Sequence, residues 1–159
     1  MTNQQETSLA WLAGILDGEG WIGFNVRARH KTERGREKKS ILPWVSVSNT
    51  SIEIIQRCQD VCTMFGIACN FTKANVRTKA NNLIFIWSIA GAKRVEQLLP
   101  LVIPYLALKG ERAKAVLAFI RSRRVTGYQK TYTAQELSLV QSTRKGSSET
   151  TREAPTTIQ

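Results

Sequence analysis

Two carboxylates alternate with two glycines at the end of an apolar segment near the N-terminus. Residues 9–16 carry apolar side chains at helical spacing, and Asp17, Gly18, Glu19 and Gly20 follow them. Glycine permits the turn that ends a helix, and the last carbonyl groups of a helix have no partner within it. Such carbonyls and a carboxylate are oxygen ligands of the kind that Mg²⁺ binds. The spacing therefore predicts a divalent-metal site at the end of this helix, with Glu19 and the main-chain carbonyl of Gly18 as ligands.

The helix that positions this site has a second face made of small residues. Leu9, Leu12 and Leu16 form its apolar face, and Thr7 or Ser8 is expected to cap its N-terminus. Small residues let another helix approach closely, so the second face predicts a docking surface for a second helix. The residues of this surface are Ala10, Ala13, Gly14 and Asp17.

The composition indicates one basic globular domain. The 159 residues carry 23 Lys and Arg against 12 Asp and Glu, for a net charge of +11 and a pI near 10.1. This charge favours nucleic acid as partner, although a ribosome-associated or merely soluble basic protein has the same composition. No apolar run approaches the roughly 18 residues of a membrane span. We expect a soluble intracellular protein, in a bacterial cytoplasm or an organelle, with no membrane partner and no small-molecule substrate.

Two predicted strands after the helix present polar side chains on one face. Residues 21–29 and 40–48 alternate apolar and polar residues, which is the period of a half-buried strand. The charged loop between them offers phosphate contacts, and the outward strand face can read base edges in a major groove. The residues expected to contact DNA in this hairpin are Trp21, Asn25, Arg27, Arg29, Lys31, Arg34, Arg36, Lys38, Lys39, Ser40, Trp44, Ser46 and Ser48.

A second helix is predicted directly after this hairpin. Thr50 and Glu53 have the spacing of a capping box, and apolar residues then recur at steps of three and four until Gly66. The cysteines, which are odd in number, lie among apolar residues and are expected to be small core residues, not metal ligands or disulfides. They are Cys58, Cys62 and Cys69.

A second strand pair and further helices complete the chain. Residues 67–77 and 83–89 are predicted strands, and their expected DNA contacts are Lys73, Arg77 and Ser88. Helical segments are predicted at 91–99, 101–106 and 111–124, with breaks at prolines, and a capped helix reaches about residue 140. We therefore expect an α+β domain over residues 1–140, with a core at 7–124 and a C-terminal helical extension at 125–140. Residues 141–159 form a polar tail that we expect to be disordered.

Residues 12–20 read Leu-Ala-Gly-Ile-Leu-Asp-Gly-Glu-Gly and resemble the signature of the LAGLIDADG homing endonucleases. The order of predicted elements resembles the αββαββα core of the same family. The resemblance implies a four-stranded antiparallel DNA-binding sheet and a pair of signature helices that place carboxylates over the DNA minor groove. One copy of the motif in the chain implies a homodimer on double-stranded DNA.

The resemblance also implies roles for three residues. Glu19 occupies the position of the last acidic residue of the signature, and residues 104–109 resemble the segment that ends in a Lys near the scissile phosphates. Asn49 lies where relatives with one motif often have Gln, and relatives can have Arg a few residues later, where this chain has Ile52 and Glu53. Glu19, Lys109 and Asn49 are therefore the expected catalytic residues, although Lys109 could also be a surface charge at a helix start.

The function that this resemblance implies is site-specific DNA cleavage. We expect an intron-encoded homing endonuclease that uses Mg²⁺ and makes double-strand breaks in a pseudo-palindromic target of about 20 base pairs, since one strand spans about one turn of duplex. Ca²⁺ could occupy the metal site without supporting cleavage. Two alternatives remain open, namely an intron RNA maturase and a non-cleaving DNA-binding regulator with the same fold.

Overall fold

A computed structural model of the protein describes residues 1–31, 37–75, 83–127 and 131–144, with the backbone alone at 27–31, 37–39 and 75. The elements in chain order are α1 (Asn3–Gly18), β1 (Gly20–Lys31), β2 (Glu37–Asn49), α2 (Ile52–Met64), β3 (Asn70–Asn75), β4 (Leu83–Ala90), α3 (Ala92–Val102), a 3₁₀ turn (Ile103–Tyr105), α4 (Gly110–Thr126) and α5 (Ala134–Ser142). The strands form one antiparallel sheet in the order β1-β2-β4-β3. The predicted α+β fold, αββαββα with a C-terminal helix, is confirmed.

The two faces of the sheet have different environments. On one face, strand side chains are buried beneath the helices; among them are Ile22, Val45, Val47, Trp87 and Ile89. Side chains on the other face, which we call the open face, are mostly exposed or half-buried. Strand register places the following residues there: Trp21, Gly23, Asn25, Leu42, Trp44, Ser46, Ser48, Asn70, Thr72, Ile84, Ile86 and Ser88. The alternation in the sequence therefore predicts both faces correctly for β1 and β2.

Two helix starts differ from the sequence prediction. Helix α1 begins after Thr2, whose hydroxyl accepts a hydrogen bond from the Gln5 backbone N–H (3.3 Å) while the Gln5 side chain accepts one from the Thr2 backbone (2.9 Å). The predicted cap at Thr7 or Ser8 is wrong, because this capping box lets the polar N-terminal residues continue the helix. The cap of α2 is Ser51, one position after the expected Thr50.

Prolines break the chain at fewer places than expected. Pro100 lies inside α3, which continues to Val102. The expected break there is wrong, because burial of the apolar face of the helix outweighs the cost of an exposed proline in its last turn. Pro43 lies within β2 and has no backbone N–H to donate to a neighbouring strand. The pairing of β2 with β4 ends at Trp44 and Ala90, so this missing donor costs the sheet no hydrogen bond to β4.

A buried ion pair fastens the C-terminal helix to α4. Arg123 donates to Glu136 at 3.2 Å, and both side chains are almost fully buried. Burial alone would raise the pKa of Glu136, but hydrogen bonds from the Thr133 backbone and from hydroxyls, with the Arg123 charge, hold it below its usual value. The Tyr132 hydroxyl accepts a hydrogen bond from the Ile41 backbone at 3.0 Å. The predicted C-terminal helix is therefore linked to α4 and, through Tyr132, to strand β2.

The cysteines lie where the sequence predicts. Cys58 and Cys62 are fully buried on one face of α2, Cys69 is half-buried, and all three are free thiols. Burial raises the pKa of Cys58 to about 12, so its thiol is protonated at neutral pH and packs as a small apolar group. None of the helices within the described ranges is both long and apolar enough to cross a membrane.

Candidate active site

A close approach of backbone at the end of α1 sets the position of Glu19. Glu19 is the last residue before β1, and its backbone N–H donates to the Ile15 carbonyl at 2.9 Å. The next residue must be glycine, because a Cβ at Gly20 would lie 2.6 Å from Leu16 Cα and 2.8 Å from the Leu16 carbonyl oxygen. The chain therefore passes from helix to strand without a loop, and the Glu19 side chain remains exposed at the turn.

Asp17 differs from Glu19 because its carboxylate binds backbone groups of the same chain. It accepts hydrogen bonds from the N–H groups of Ala107 (2.6 Å), Leu108 (3.1 Å) and Lys109 (2.8 Å). Burial alone would raise the pKa of Asp17, but these three hydrogen bonds outweigh it and hold the pKa below its usual 3.8. Asp17 thus fixes the segment before α4 against the end of α1.

The Lys109 side chain reaches the same turn. Its ammonium group donates to the carbonyl oxygens of Leu16 (2.6 Å) and Gly20 (2.7 Å), one on each side of Glu19 in the sequence. Burial lowers the pKa of Lys109, as does the nearby Arg112 charge, while Asp17 opposes the shift. An ammonium has three donors, and the third has no partner among the residues that the structure describes. Lys109 is therefore a held cation and not a freely solvated surface charge.

Asn49 connects the ends of β2 and α1. Its side-chain amide donates to Glu19 Oε2, while its oxygen accepts a hydrogen bond from the Ser51 backbone at 2.7 Å. The three residues predicted to be catalytic therefore lie around one turn of the structure. Gly18 is exposed beside them. Within the described ranges, no group of three or more His, Cys, Asp and Glu side chains could hold a metal ion.

The exposed surface of small residues on α1 contains fewer of the predicted residues than their helical spacing indicated. Ala13 is fully buried, because it shares a helix face with Leu9 and Leu16, and Asp17 is engaged with residues 107–109. Ala10 and Gly14 are exposed, and a Cβ placed on Gly14 would meet nothing within 4 Å. Ala10, Gly14 and Gly18 thus form an exposed small-residue stripe along the helix, with open space above it.

The structure separates the predicted DNA-contacting residues into three groups. Trp21, Asn25, Ser40, Trp44 and Ser46 are half-buried and Ser48 is exposed on the open face. Ser88 is also on this face but is only 5% exposed, whereas Lys73 is exposed on the opposite side of β3, the side it shares with Phe71. For a third group the structure gives strand backbone only: Arg27, Arg29, Lys31, Lys38 and Lys39. Arg34, Arg36 and Arg77 lie outside the described residues.

Sequence reasoning did not single out Arg112. This residue lies in the first turn of α4, and its guanidinium carbon is 5.1 Å from the centroid of the Trp21 ring. The available signal was its position one helical turn after Lys109. That spacing alone could not show that the side chain reaches β1.

No protein-family model matches the sequence, and no curated protein matches it. Solved structures match in fold. One is the homing endonuclease I-CvuI with its DNA target and Ca, at TM-score 0.59 and 17% identity over 91% of this chain and 97% of that one. The archaeal intron-encoded homing endonuclease I-Vdi141I, complexed with DNA, matches with a TM-score of 0.66 and 12% identity, over 95% of this chain and 91% of that one. The I-SmaMI LAGLIDADG homing endonuclease, bound to cleaved DNA, matches with a TM-score of 0.58 and 19% identity, over 86% of this chain and 42% of that one.

The hydrogen bonds of Asp17 predict the effect of its amide variant on stability. Asp17→Asn faces an NH₂ group toward one of the backbone donors and removes the charge, so we expect a loss of about 1–3 kcal/mol in the free energy of unfolding. Because the folded-state pKa of Asp17 is lowered, its contribution is complete above pH 3.8 and is lost as the pH falls through the folded-state pKa. The difference between wild type and variant should therefore shrink in acid.

Urea unfolding at neutral pH and at pH 3 measures this difference. Asp60→Asn, at an exposed position of α2, is the matched control and should change the free energy of unfolding by less than about 0.5 kcal/mol. Equal effects of the two substitutions at neutral pH would contradict the structural role assigned to Asp17.

Proposed function

We propose that this chain, which has the fold of the LAGLIDADG homing endonucleases, is a site-specific DNA endonuclease that acts as a homodimer and depends on a divalent metal. The observation that carries the proposal is the convergence of Glu19, Lys109 and Asn49 at the end of α1. A protein that only binds DNA has no need of an exposed carboxylate beside an anionic backbone, since the two repel each other. A divalent metal ion held by Glu19 would remove this repulsion.

The donor set at the turn fits Mg²⁺. Glu19 supplies an exposed carboxylate and Gly18 is the neighbouring backbone position, and both offer the hard oxygen ligands that Mg²⁺ prefers. The remaining ligands would come from phosphate oxygens, water and a second chain. When bound, the metal would lower the pKa of an attacking water and neutralise charge on the phosphate. The crystallisation of I-CvuI with DNA in the presence of Ca and of Mg supports a divalent ion.

The chain's own residues have separable roles in this proposal. Asn49 donates to Glu19 Oε2 and so fixes the direction of the carboxylate. Lys109 keeps a positive charge at the turn and has one donor left for a phosphate oxygen, where negative charge grows during cleavage. Asp17 holds the backbone of Lys109 and is a positioning residue. No protein nucleophile is required, because water can attack the phosphorus.

A homodimer follows from the single site in each chain. Two strands must be cut, and two turns of this kind meet if the α1 helices cross at the exposed stripe of Ala10, Gly14 and Gly18. Two Glu19 carboxylates about 4 Å apart repel by about 4 kcal/mol at an effective dielectric of 20, which again favours bound cations.

The open face of the sheet is the proposed DNA-reading surface. Strand β1 has 12 residues and spans roughly 40 Å, slightly more than one turn of duplex. Two such sheets related by the dimer axis cover a pseudo-palindromic target of about 20 base pairs. The net charge of +11 for each chain favours association with the DNA backbone. We propose that the gene lies within an intron, as does that of the archaeal intron-encoded endonuclease I-Vdi141I.

The first test of this function is cleavage by a Glu19→Gln variant. Selection of cut sites from a randomised duplex library in Mg²⁺ should yield a target for the wild type. Glu19→Gln should cut that target at least about 10²-fold more slowly, since it removes the charged ligand at the reacting phosphate, yet should bind it in Ca²⁺. Glu6→Gln, an exposed acid in the first turn of the same helix, is the matched control and should cut at the wild-type rate. Duplex binding with no cleavage by either wild type or variant would favour the DNA-binding regulator instead.

A second test enlarges Gly14 in the proposed dimer seam. Within one chain there is open space at this position, and leucine is a better helix former than glycine by about 1 kcal/mol. Gly14→Leu should therefore leave the fold at least as stable while blocking the approach of a second helix. Sedimentation equilibrium should show a dimer dissociation constant raised at least about 100-fold, equivalent to about 2.7 kcal/mol.

Ala118→Leu, an exposed enlargement on α4, should leave the association of chains unchanged. A Gly14→Leu protein that remains as dimeric as the wild type would contradict the proposed seam.

A further inference from the structure

Arg112 reaches from α4 around the edge of the sheet to the open face. Strand β1 is an edge strand, and Trp21 lies on its open face. The guanidinium of Arg112 lies over the Trp21 ring, 5.1 Å from its centroid. The indole extends along the strand over Gly23, where a Cβ would lie 3.1–3.2 Å from three of its ring atoms. Gly23 thus makes room for the indole, and the indole forms a platform for Arg112.

Arg112 takes part in none of the ion pairs among the residues that the structure describes. The ion pairs among the described residues are Lys114 with Glu111, Arg124 with Glu96, and the buried pair of Arg123 with Glu136. The carboxylate of Glu111, its immediate neighbour in the sequence, accepts a hydrogen bond from the Lys114 ammonium at 2.6 Å. Arg112 also lies close enough to Lys109 to disfavour the protonated form of that lysine. Two neighbouring cations form a site that an anion would stabilise.

We propose that Arg112 binds a backbone phosphate of the DNA, with Trp21 as the platform that orients it. This inference rests on the proposed function, because it assumes that DNA lies on the open face. Stacking uses the flat face of a guanidinium and leaves the N–H groups at its edge free to bind phosphate oxygens in pairs. The sequence predicts that Trp21 contacts DNA directly. In this proposal Trp21 also orients Arg112, which binds the phosphate.

The salt dependence of DNA binding tests this contact without requiring cleavage. The affinity of wild type, Arg112→Gln and Arg121→Gln for a fluorescent duplex is measured in Ca²⁺ over a range of salt. Arg121 is exposed on the same helix, so its substitution removes the same charge away from the proposed contact. Each lost phosphate contact reduces the slope of log K against log salt by about 0.9, hence about 1.8 for a dimer. We expect this change for Arg112→Gln and an unchanged slope for Arg121→Gln.

Cleavage rates then show whether the contact serves the reaction. With bound target, Arg112→Gln should cut about 10- to 100-fold more slowly, and Arg112→Lys should keep the salt slope but recover only part of the rate. Trp21→Leu should resemble Arg112→Lys, because the charge remains and the platform is lost. An Arg112→Gln slope equal to that of wild type would overturn the proposal, whether or not the protein cuts DNA. A reduced slope in a protein that never cuts would keep the phosphate contact and reject the proposed endonuclease function.

Discussion

The carboxylate of Asp17 is the interaction on which the geometry of the site depends. Its three hydrogen bonds to the backbone of residues 107–109 join the end of α1 to the start of α4, two elements that are far apart in the sequence. Hydrogen bonds to a charged group contribute about 1.5–3 kcal/mol each. Because Lys109 is held in this way, its ammonium reaches the carbonyls beside Glu19, and Arg112 follows one turn later on the same helix. The hydrogen bonds of one carboxylate thus place both cations.

Two acids two residues apart therefore have opposite tasks. Asp17 is satisfied by the chain's own backbone, while Glu19 stays exposed because Gly20 lets β1 start directly against Leu16. Asn49 contributes from a third element and directs the Glu19 carboxylate. The resulting site has one exposed carboxylate and two cations, a combination suited to a divalent metal and a polyanionic backbone together. A metal alone would pair only with the carboxylate, and a phosphate backbone alone would pair only with the two cations.

The sequence predicted those parts of the fold and site that depend on local pattern. Period-two alternation identified the faces of β1 and β2. The signature at residues 12–20 led to Glu19, and the wider family resemblance led to Lys109 and Asn49, which lie at the same turn. It failed where the deciding contact is non-local or where two local signals compete. The inward position of Ala13 depends on which side of α1 the core covers, and the position of Lys73 depends on the register of β3 with β4. The stacking of Arg112 on Trp21 joins two elements that no sequence period relates.

A crystal structure of the protein with its selected duplex in Ca²⁺ tests the central claim most directly. The proposed function predicts two chains related by a two-fold axis that passes between the Gly14 positions. It also predicts metal density between each Glu19 carboxylate and a backbone phosphate, at the ligand distances of about 2.3–2.6 Å that Ca²⁺ takes. A complex with one chain on the DNA, or with Glu19 remote from every phosphorus atom, would contradict it.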